Sequence, residues 1–495
     1  MLTTDQIKQT HPSYQQIVDQ ANYHYKSYVG GELYKSGSYL THYIGEDNGP
    51  GDQYSKRIDS TPLDNHVQTT IDIYRSFLFR TLPKRELGLL INNPLVEEWM
   101  KDTDQEGQNL DNFLKNANDL AMVHGSTWIL VDKPAYQVET EAEAIQLGIR
   151  AYAAMYTPQN VLDWYYERNI AGKMVLKYIK VKESENDEFI NFTCWHEDSV
   201  EKYKVSKDAE TGDYGSIVEH IEHANPLGYI PFVFHSPLKS PVKGVGFSLI
   251  SDVADQQRFI YNCTSEVVEH LKISSHPTLV KPTSTDAVAG AGSILNLDED
   301  VDPGLKPYLL QPTLSTTDSI LKSIEKSVQA IQRMTHTSAI QATTGSPMSG
   351  VALQTERQLL NAKLADIAAS LRESELLMWA IFLDWQLLTQ PEDFSIEYPD
   401  TFDMRDEHLE LDLLMKARSS GVDSPLYQAE ISRQVVALTV DDAEVQAKIL
   451  EDITGMEEYG THEMYEPNTG EVVVVTSEEQ HLSLLERGYK MSNGY

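Results

Sequence analysis

Apolar positions keep a helical period in three parts of this chain and a strand period in one long block. Over residues 248–273, Leu249, Val253, Ile260, Val267 and Leu271 recur at steps of four and seven, which sets them on one helical face. His276-Pro277 ends that helix, because the residue before a proline is driven out of the α region. Spacing resumes with Ile320, Ile324, Val328 and Ile331 and stops at the polar, uncharged run 343–350. From 351 to 388 there is neither glycine nor proline, and Leu360, Leu364, Ile367, Leu371, Met378, Phe382 and Trp385 keep one face apolar. At the α-helical rise, ~38 residues span ~57 Å. Between the first two helices, Pro282, Gly290, Gly292, Pro303, Gly304, Pro307 and Pro312 break the chain around two short β-like runs, 293–297 and 307–310.

Residues 125–236 change to the period of strands. "TWILVDKP", "IRAYAAMYTP", "KMVLKYIKV", "FINFTCWHED", "VEKYKV" and "YIPFVFH" are separated by short polar turns, which predicts an antiparallel β-rich subdomain. Ahead of it, a helix ends at Gly30-Gly31, residues 38–61 read as a turn-rich link, and Val67, Ile71, Tyr74, Phe77 and Leu78 mark another helix. Beyond 400, "RDEHLELDLLMKARSSGV", "SPLYQAEISRQVVALTV" and "DDAEVQAKILEDI" read as three helices, the first closed by Gly421 and the second opened by Ser424-Pro425. The tail from Gly470 gives one strand and one short helix. The fold class is α+β.

A chain of 495 residues, 41% apolar, has room for two to four folding units. Its formal net charge is −35. Residues 391–495 hold 24 acids and 7 bases, so −17 of that charge sits in the last fifth and marks a separate C-terminal module. Acidity on this scale argues against a phosphate-gripping surface, which needs basic stripes that displace counterions. The two cysteines, Cys194 and Cys263, supply neither a disulfide framework nor a thiolate zinc site, and a reducing compartment is expected. No apolar stretch follows Met1, and the longest apolar run, 376–383, is bounded by Glu375 and Asp384, so neither signal peptide nor membrane span is expected.

Four patterns invite chemistry and fail it. Gly30 with Lys35-Ser36 suggests a phosphate loop, but Tyr34 stands where the second glycine must let amides wrap phosphate. Asp298, Asp300 and Asp302 have the alternate spacing of a calcium loop, with Pro303 at the turn glycine and Leu309 at the bidentate glutamate. His220 and His223 lie three apart before a turn, without further ligands specified. Gly290 and Gly292 lack the strand-before, helix-after setting of a dinucleotide fold. No catalytic residue, cofactor site or metal site is assigned.

The order of "NPLGYIPFVFH", "GVGFSLISDVADQQRFIYNCTSEVVEHLKISSHPTLV" and "QRMTHTSAIQATTGSPMSGVALQTERQLL" resembles that of tailed-bacteriophage portal proteins, the head-to-tail connectors. The likeness covers most of the chain and lies in the order of parts, not in one signature. It implies a wing over 1–240, stem helices over 241–275 and 314–336, a small clip at 276–313 and a tunnel loop at 337–350. A long, kinked wing helix at 351–400 and a helical crown with its tail at 401–495 complete the implied portal fold. On this resemblance Thr343, Thr344, Gly345, Ser346, Pro347, Met348 and Ser349 form the loop that projects toward DNA in the channel; from the residues alone they are an interhelical connection. Lys322 and Lys326 lie one turn apart with Arg333 two turns further, either as channel-lining rings of positive charge or as a solvated face paired with Glu325 and Asp318. The implied assembly is a homo-oligomeric ring, twelve-fold in the family, at a capsid vertex of the virion, assembled in the host cytoplasm. Its implied partners are the terminase large subunit, an adaptor or neck protein, the major capsid or scaffold protein, and double-stranded DNA in transit. Other readings are a different neck or tail protein of the virion, or an α+β enzyme using clustered carboxylates.

Overall fold

A computed structural model of the chain describes residues 2–46, 52–134, 147–207, 214–275, 278–280, 302, 308–310, 314–341, 350–402, 407–419 and 424–440, with shorter pieces between 445 and 491. It divides into two compact units, Met1–Phe402 and Asp403–Tyr495. The first unit opens with helices α1 (Thr4–Lys8), α2 (Tyr14–Val29), α3 (Gly31–Lys35), α4 (Gln53–Ser60) and α5 (His66–Leu78). After strand β1 (Lys84–Glu86) come α6 (Pro94–Lys101) and α7 (Leu110–His124). Asp52, Asn65, Asn93 and Asn109 stand at N-caps and accept from the amides of Ser55, Gln68, Leu95 and Asn112, satisfying donors that a helix start leaves open. Helix α7 stops at Gly125, whose φ of 97° suits a residue without Cβ; a Cβ there would also meet the Gly246 carbonyl at 2.7 Å.

Strands β2 (Thr127–Asp132), β3 (Tyr152–Tyr156), β4 (Val161–Arg168), β5 (Met174–Glu185), β6 (Phe189–His196), β7 (Ser199–Lys207), β8 (Tyr214–Ala224) and β9 (Phe232–His235) follow. They make two sheets with every pairing antiparallel: β3-β2-β9, and the meander β4-β5-β6-β7-β8. Strand β2 is central and covered on both faces, hence its unbroken apolar run Trp128–Val131. Strands β4 and β8 are absent from the sequence-based set. As the two edges of the meander they carry charge on both faces, as in "YGSIVEHIEHA", so alternation is lost.

The chain continues through α8 (Ser251–Ser275), β10 (Thr278–Val280), β11 (Tyr308–Leu310), α9 (Leu314–Thr335), α10 (Ser338–Gln341), α11 (Gly350–Gln386) and β12 (Ser395–Glu397). Helix α11 is the spine of the unit. Leu360, Leu364, Ile367 and Ala368 enter one core with α5, α8 and α9, while Leu371, Met378, Trp379, Phe382 and Leu383 enter a second with α6, α7 and the three-stranded sheet. Its 37 residues give a rod of ~56 Å. A buried polar cluster pins its middle: Glu375 Oε1 accepts from Arg85 Nε at 2.5 Å and Trp379 Nε1 at 3.2 Å, and Oε2 from the Tyr398 hydroxyl at 2.5 Å.

Several expectations need correction. Residues 53–60 form α4 and not a turn; its one fully buried polar anchor, Arg57, is a residue that periodicity scores as surface. In the insert, 308–310 pairs with 278–280, a strand that the sequence reading did not mark, while the expected run 293–297 lies outside the described residues, as do Gly290, Gly292, Asp298 and Asp300. Residues 338–341 of the expected loop are a helical turn. The long helix ends at Gln386, not 400, where Leu387 takes a φ of 57° and β12 then pairs with β1. Leu271, expected on the apolar face of α8, is 56% exposed.

The second unit contains α12 (Glu407–Arg418), α13 (Pro425–Thr439), capped by Ser424, and a three-stranded antiparallel sheet of β13 (His462–Tyr465), β14 (Val472–Val475) and β15 (Lys490–Met491). Only β14 of that sheet is apparent from the sequence, as its run of four valines.

Candidate functional site

The helical hairpin α8/α9 is tied to the body at its base. Gln257 on α8 is fully buried; its Oε1 accepts from the Val67 amide at 2.9 Å and its Nε2 donates to the Ser27 carbonyl at 3.0 Å, so one side chain serves the start of α5 and the end of α2. Tyr23 donates to the Ala254 carbonyl and Tyr74 to the Thr335 carbonyl, at 2.9 and 2.8 Å. Arg57 of α4 reaches α8 from the side: it pairs with Glu46 at 2.8 Å, donates to Ser265 Oγ at 3.1 Å and lies 4.0 Å from the Tyr43 ring centroid. The pair holds the Glu46 carboxyl below its usual range.

Further out the hairpin changes character. No residue of α8 from 266 to 275 is buried, and on α9 no described residue before Ser327 is. Contacts there run between the two helices, such as His270 Nδ1 to Thr317 Oγ1 at 3.3 Å, with α4 along one flank, where Lys272 donates to Ser60 Oγ. Ile324 and Val328 pack against the chain's own core beside α8. By contrast Leu271, Ile273 and Leu321 stand 56%, 44% and 43% exposed. The antiparallel pair β10–β11 closes the far end.

Lys322, Lys326 and Arg333 are all exposed on α9. At 100° per residue they fall within about 40° of one another, a single stripe. None has an ion-pair partner among the described residues, so the pairing with Glu325 and Asp318 is not made. The loop residues Thr343, Thr344, Gly345, Ser346, Pro347, Met348 and Ser349 lie outside the described residues. Their flanks are anchored. Thr335 and Thr337 share a hydroxyl hydrogen bond of 2.7 Å, and His336, at a φ of 57°, brings Nδ1 to 3.8 Å from Glu356 Oε2 on the first turns of α11.

The rejected motifs are placed as follows. Gly30 caps α2 and leads directly into α3, and Lys35 donates to the Asp59 carbonyl. His220 and His223 share β8 but, three apart on a strand, face opposite sides of the sheet. A cavity of about 430 Å³ between the two sheets is lined by Asp132, Lys133, Tyr152, Lys202 and His223. Burial pushes the Asp132 carboxyl up to about 6. That is the setting a carboxylate-dependent enzyme would use, though a buried carboxylate is raised in structural sites as well.

No family model matches the chain, and no curated protein matches it. Among solved structures, a chain described as "Neck of empty GTA particle computed with C6 symmetry" aligns over 80% of this chain and 96% of its own, with 10% identity and a TM-score of 0.41. A likeness that distant fixes neither fold nor function.

Proposed function

We propose that the chain is a ring-forming portal: a non-enzymatic homo-oligomer of about twelve copies at one capsid vertex, through which double-stranded DNA is packaged and ejected. The observation that carries the reading is the outer half of the α8/α9 hairpin, which buries no side chain yet exposes Leu271, Ile273 and Leu321. Isolated helices gain most of their stability from packing an apolar face, and a neighbouring hairpin in a ring supplies that packing. Leu321 lies ~100° round α9 from Lys322, so one helix turns an apolar flank to its neighbour and a cationic stripe to the axis.

In this reading the β10–β11 end is the clip, where the terminase large subunit docks and an adaptor or neck protein follows it. The sheets and α11 form the wing toward capsid or scaffold protein. Thr343 to Ser349 reach toward the DNA. A predominantly acidic conduit repels phosphate and lets the duplex slide, while the ATP-driven work belongs to the motor. Negative-stain microscopy of the purified chain tests this: end-on rings with a central hole are expected, and a preparation holding only monomers or open filaments would refute it. Ring-forming neck or tail proteins are separated by adding terminase large subunit, which is expected to bind wild-type rings and not rings lacking 281–306.

A further inference from the structure

We infer that the cleft between the two sheets of the first unit binds a small neutral polyol, a ligand of one or two sugar rings. Two adjoining cavities of about 400 and about 430 Å³ make up the cleft, and Asp132, Tyr152, Trp195 and Lys202 line both. Each lies within the ~300–1,000 Å³ of small-molecule pockets. Strand register builds the walls. Asp132 sits opposite Tyr152 at the end of the β2–β3 pair, and the period of two puts Trp195 of β6 and Lys202 of β7 on one face of the five-stranded sheet.

Three features select the ligand. Trp195 is 3% exposed and lines both cavities, yet its Nε1 has no hydrogen-bond partner among the described residues. Buried donors are almost always paired, so an oxygen from outside the chain belongs there. The second feature is charge balance. The described walls carry Asp132, Glu183 and Glu219 with Lys133, Lys202 and Lys204, three charges of each sign, which give an ion of neither sign a net attraction. Hydroxyl groups use both signs, donating to carboxylates and accepting from ammonium groups. Asp132 accepts from the Lys133 amide at 2.8 Å and from the Tyr152 hydroxyl, and Glu183 from the Tyr156 hydroxyl at 2.6 Å, so each keeps some of the ~four acceptor positions of a carboxylate. Lys202 makes no hydrogen bond or ion pair among the described residues. The third feature is a pair of half-buried rings, Tyr152 and Trp385, each fixed at its polar end, by Asp132 and by the Val131 carbonyl at 2.8 Å. A sugar ring presents C–H groups to such a wall and carries its hydroxyls round the edge.

The inference is independent of the ring reading and has its own test. The full chain is examined by saturation-transfer difference NMR against D-glucose, D-galactose, N-acetyl-D-glucosamine and maltose, with acetate and glycine as charged small molecules for comparison. At least one sugar is expected to take up saturation through its ring protons, and acetate and glycine are not. Trp195→Phe keeps an aromatic ring and removes the N–H, and Lys202→Ala truncates an exposed side chain; each is expected to weaken that sugar at least about fivefold. His220→Gln, on the opposite face of the sheet from Lys202, is expected to leave it unchanged. Circular dichroism matching wild type in both variants separates lost binding from lost folding. If no sugar binds, if only acetate or glycine does, or if either variant holds the sugar as wild type does, the cleft is no polyol site.

Discussion

Replacing Arg85 by alanine is expected to destabilise the first unit by about 3–5 kcal/mol, because it strands a buried carboxylate on the spine helix. Glu375 is fully buried on α11, and Arg85, itself 7% exposed at its side chain, donates to it from β1 at 2.5 Å while also pairing with Asp111 of α7 at 2.8 Å. The double variant Arg85→Ala/Glu375→Leu removes both charges and leaves the Tyr398 hydroxyl and Trp379 indole without an acceptor, a loss of about 1–3 kcal/mol. The pair should therefore show a coupling energy above about 2 kcal/mol in a double-mutant cycle. Urea unfolding followed by tryptophan fluorescence reads it, since Trp99 and Trp379 are both buried in this core. An Arg85→Ala variant within about 1 kcal/mol of wild type, or singles that simply add, would refute the claim that this cluster locks α11 to β1 and α7.

Acid should loosen the fold through His24, His124 and His235, whose imidazoles burial pushes down to about 4, about 4 and about 3. Folded values below the unfolded ~6.5 mean that their contribution is complete above about pH 6.5 and is lost as pH falls toward those values; a urea midpoint that falls from pH 7 to pH 4.5, less steeply in His24→Gln, is the expected readout. Leu271→Asp with Leu321→Asp should leave monomer stability within about 0.5 kcal/mol yet abolish rings by light scattering, whereas Ile324→Asp with Val328→Asp should unfold the hairpin of the monomer itself. Deleting 343–349 should leave rings intact and lower the yield of DNA-filled heads; equal yields would remove the loop from the mechanism. Twelve copies at −35 make about −420, so assembled rings should bind linear duplex DNA more weakly than ~10⁻⁶ M at physiological salt, and a tighter, steeply salt-dependent anisotropy titration would contradict sliding.

The long helices were legible because each buries one continuous stripe: Leu360, Leu364, Ile367, Leu371, Met378 and Phe382 all reached the core as their spacing implied. What escaped was held by polar or nonlocal contacts. Helix α4 depends on Arg57 meeting Glu46 and Ser265, and β8 shows its role only beside β7. Leu271 and Leu321 carry the same apolar code as their buried neighbours, and nothing in the spacing says which side chains meet their own chain and which stay bare. Lys322, Lys326 and Arg333 were legible as a stripe, but their lack of ion-pair partners among the described residues was not.

The central claim, that exposed hairpins close into a ring, is tested most directly by native mass spectrometry of the purified 55.9 kDa chain. Twelve copies give about 670 kDa, and the expected spectrum holds a closed oligomer at or near that mass which collapses to single chains when Leu271 and Leu321 both become aspartate. A chain that remains at 55.9 kDa at every concentration, or an oligomer indifferent to those two substitutions, would contradict the account.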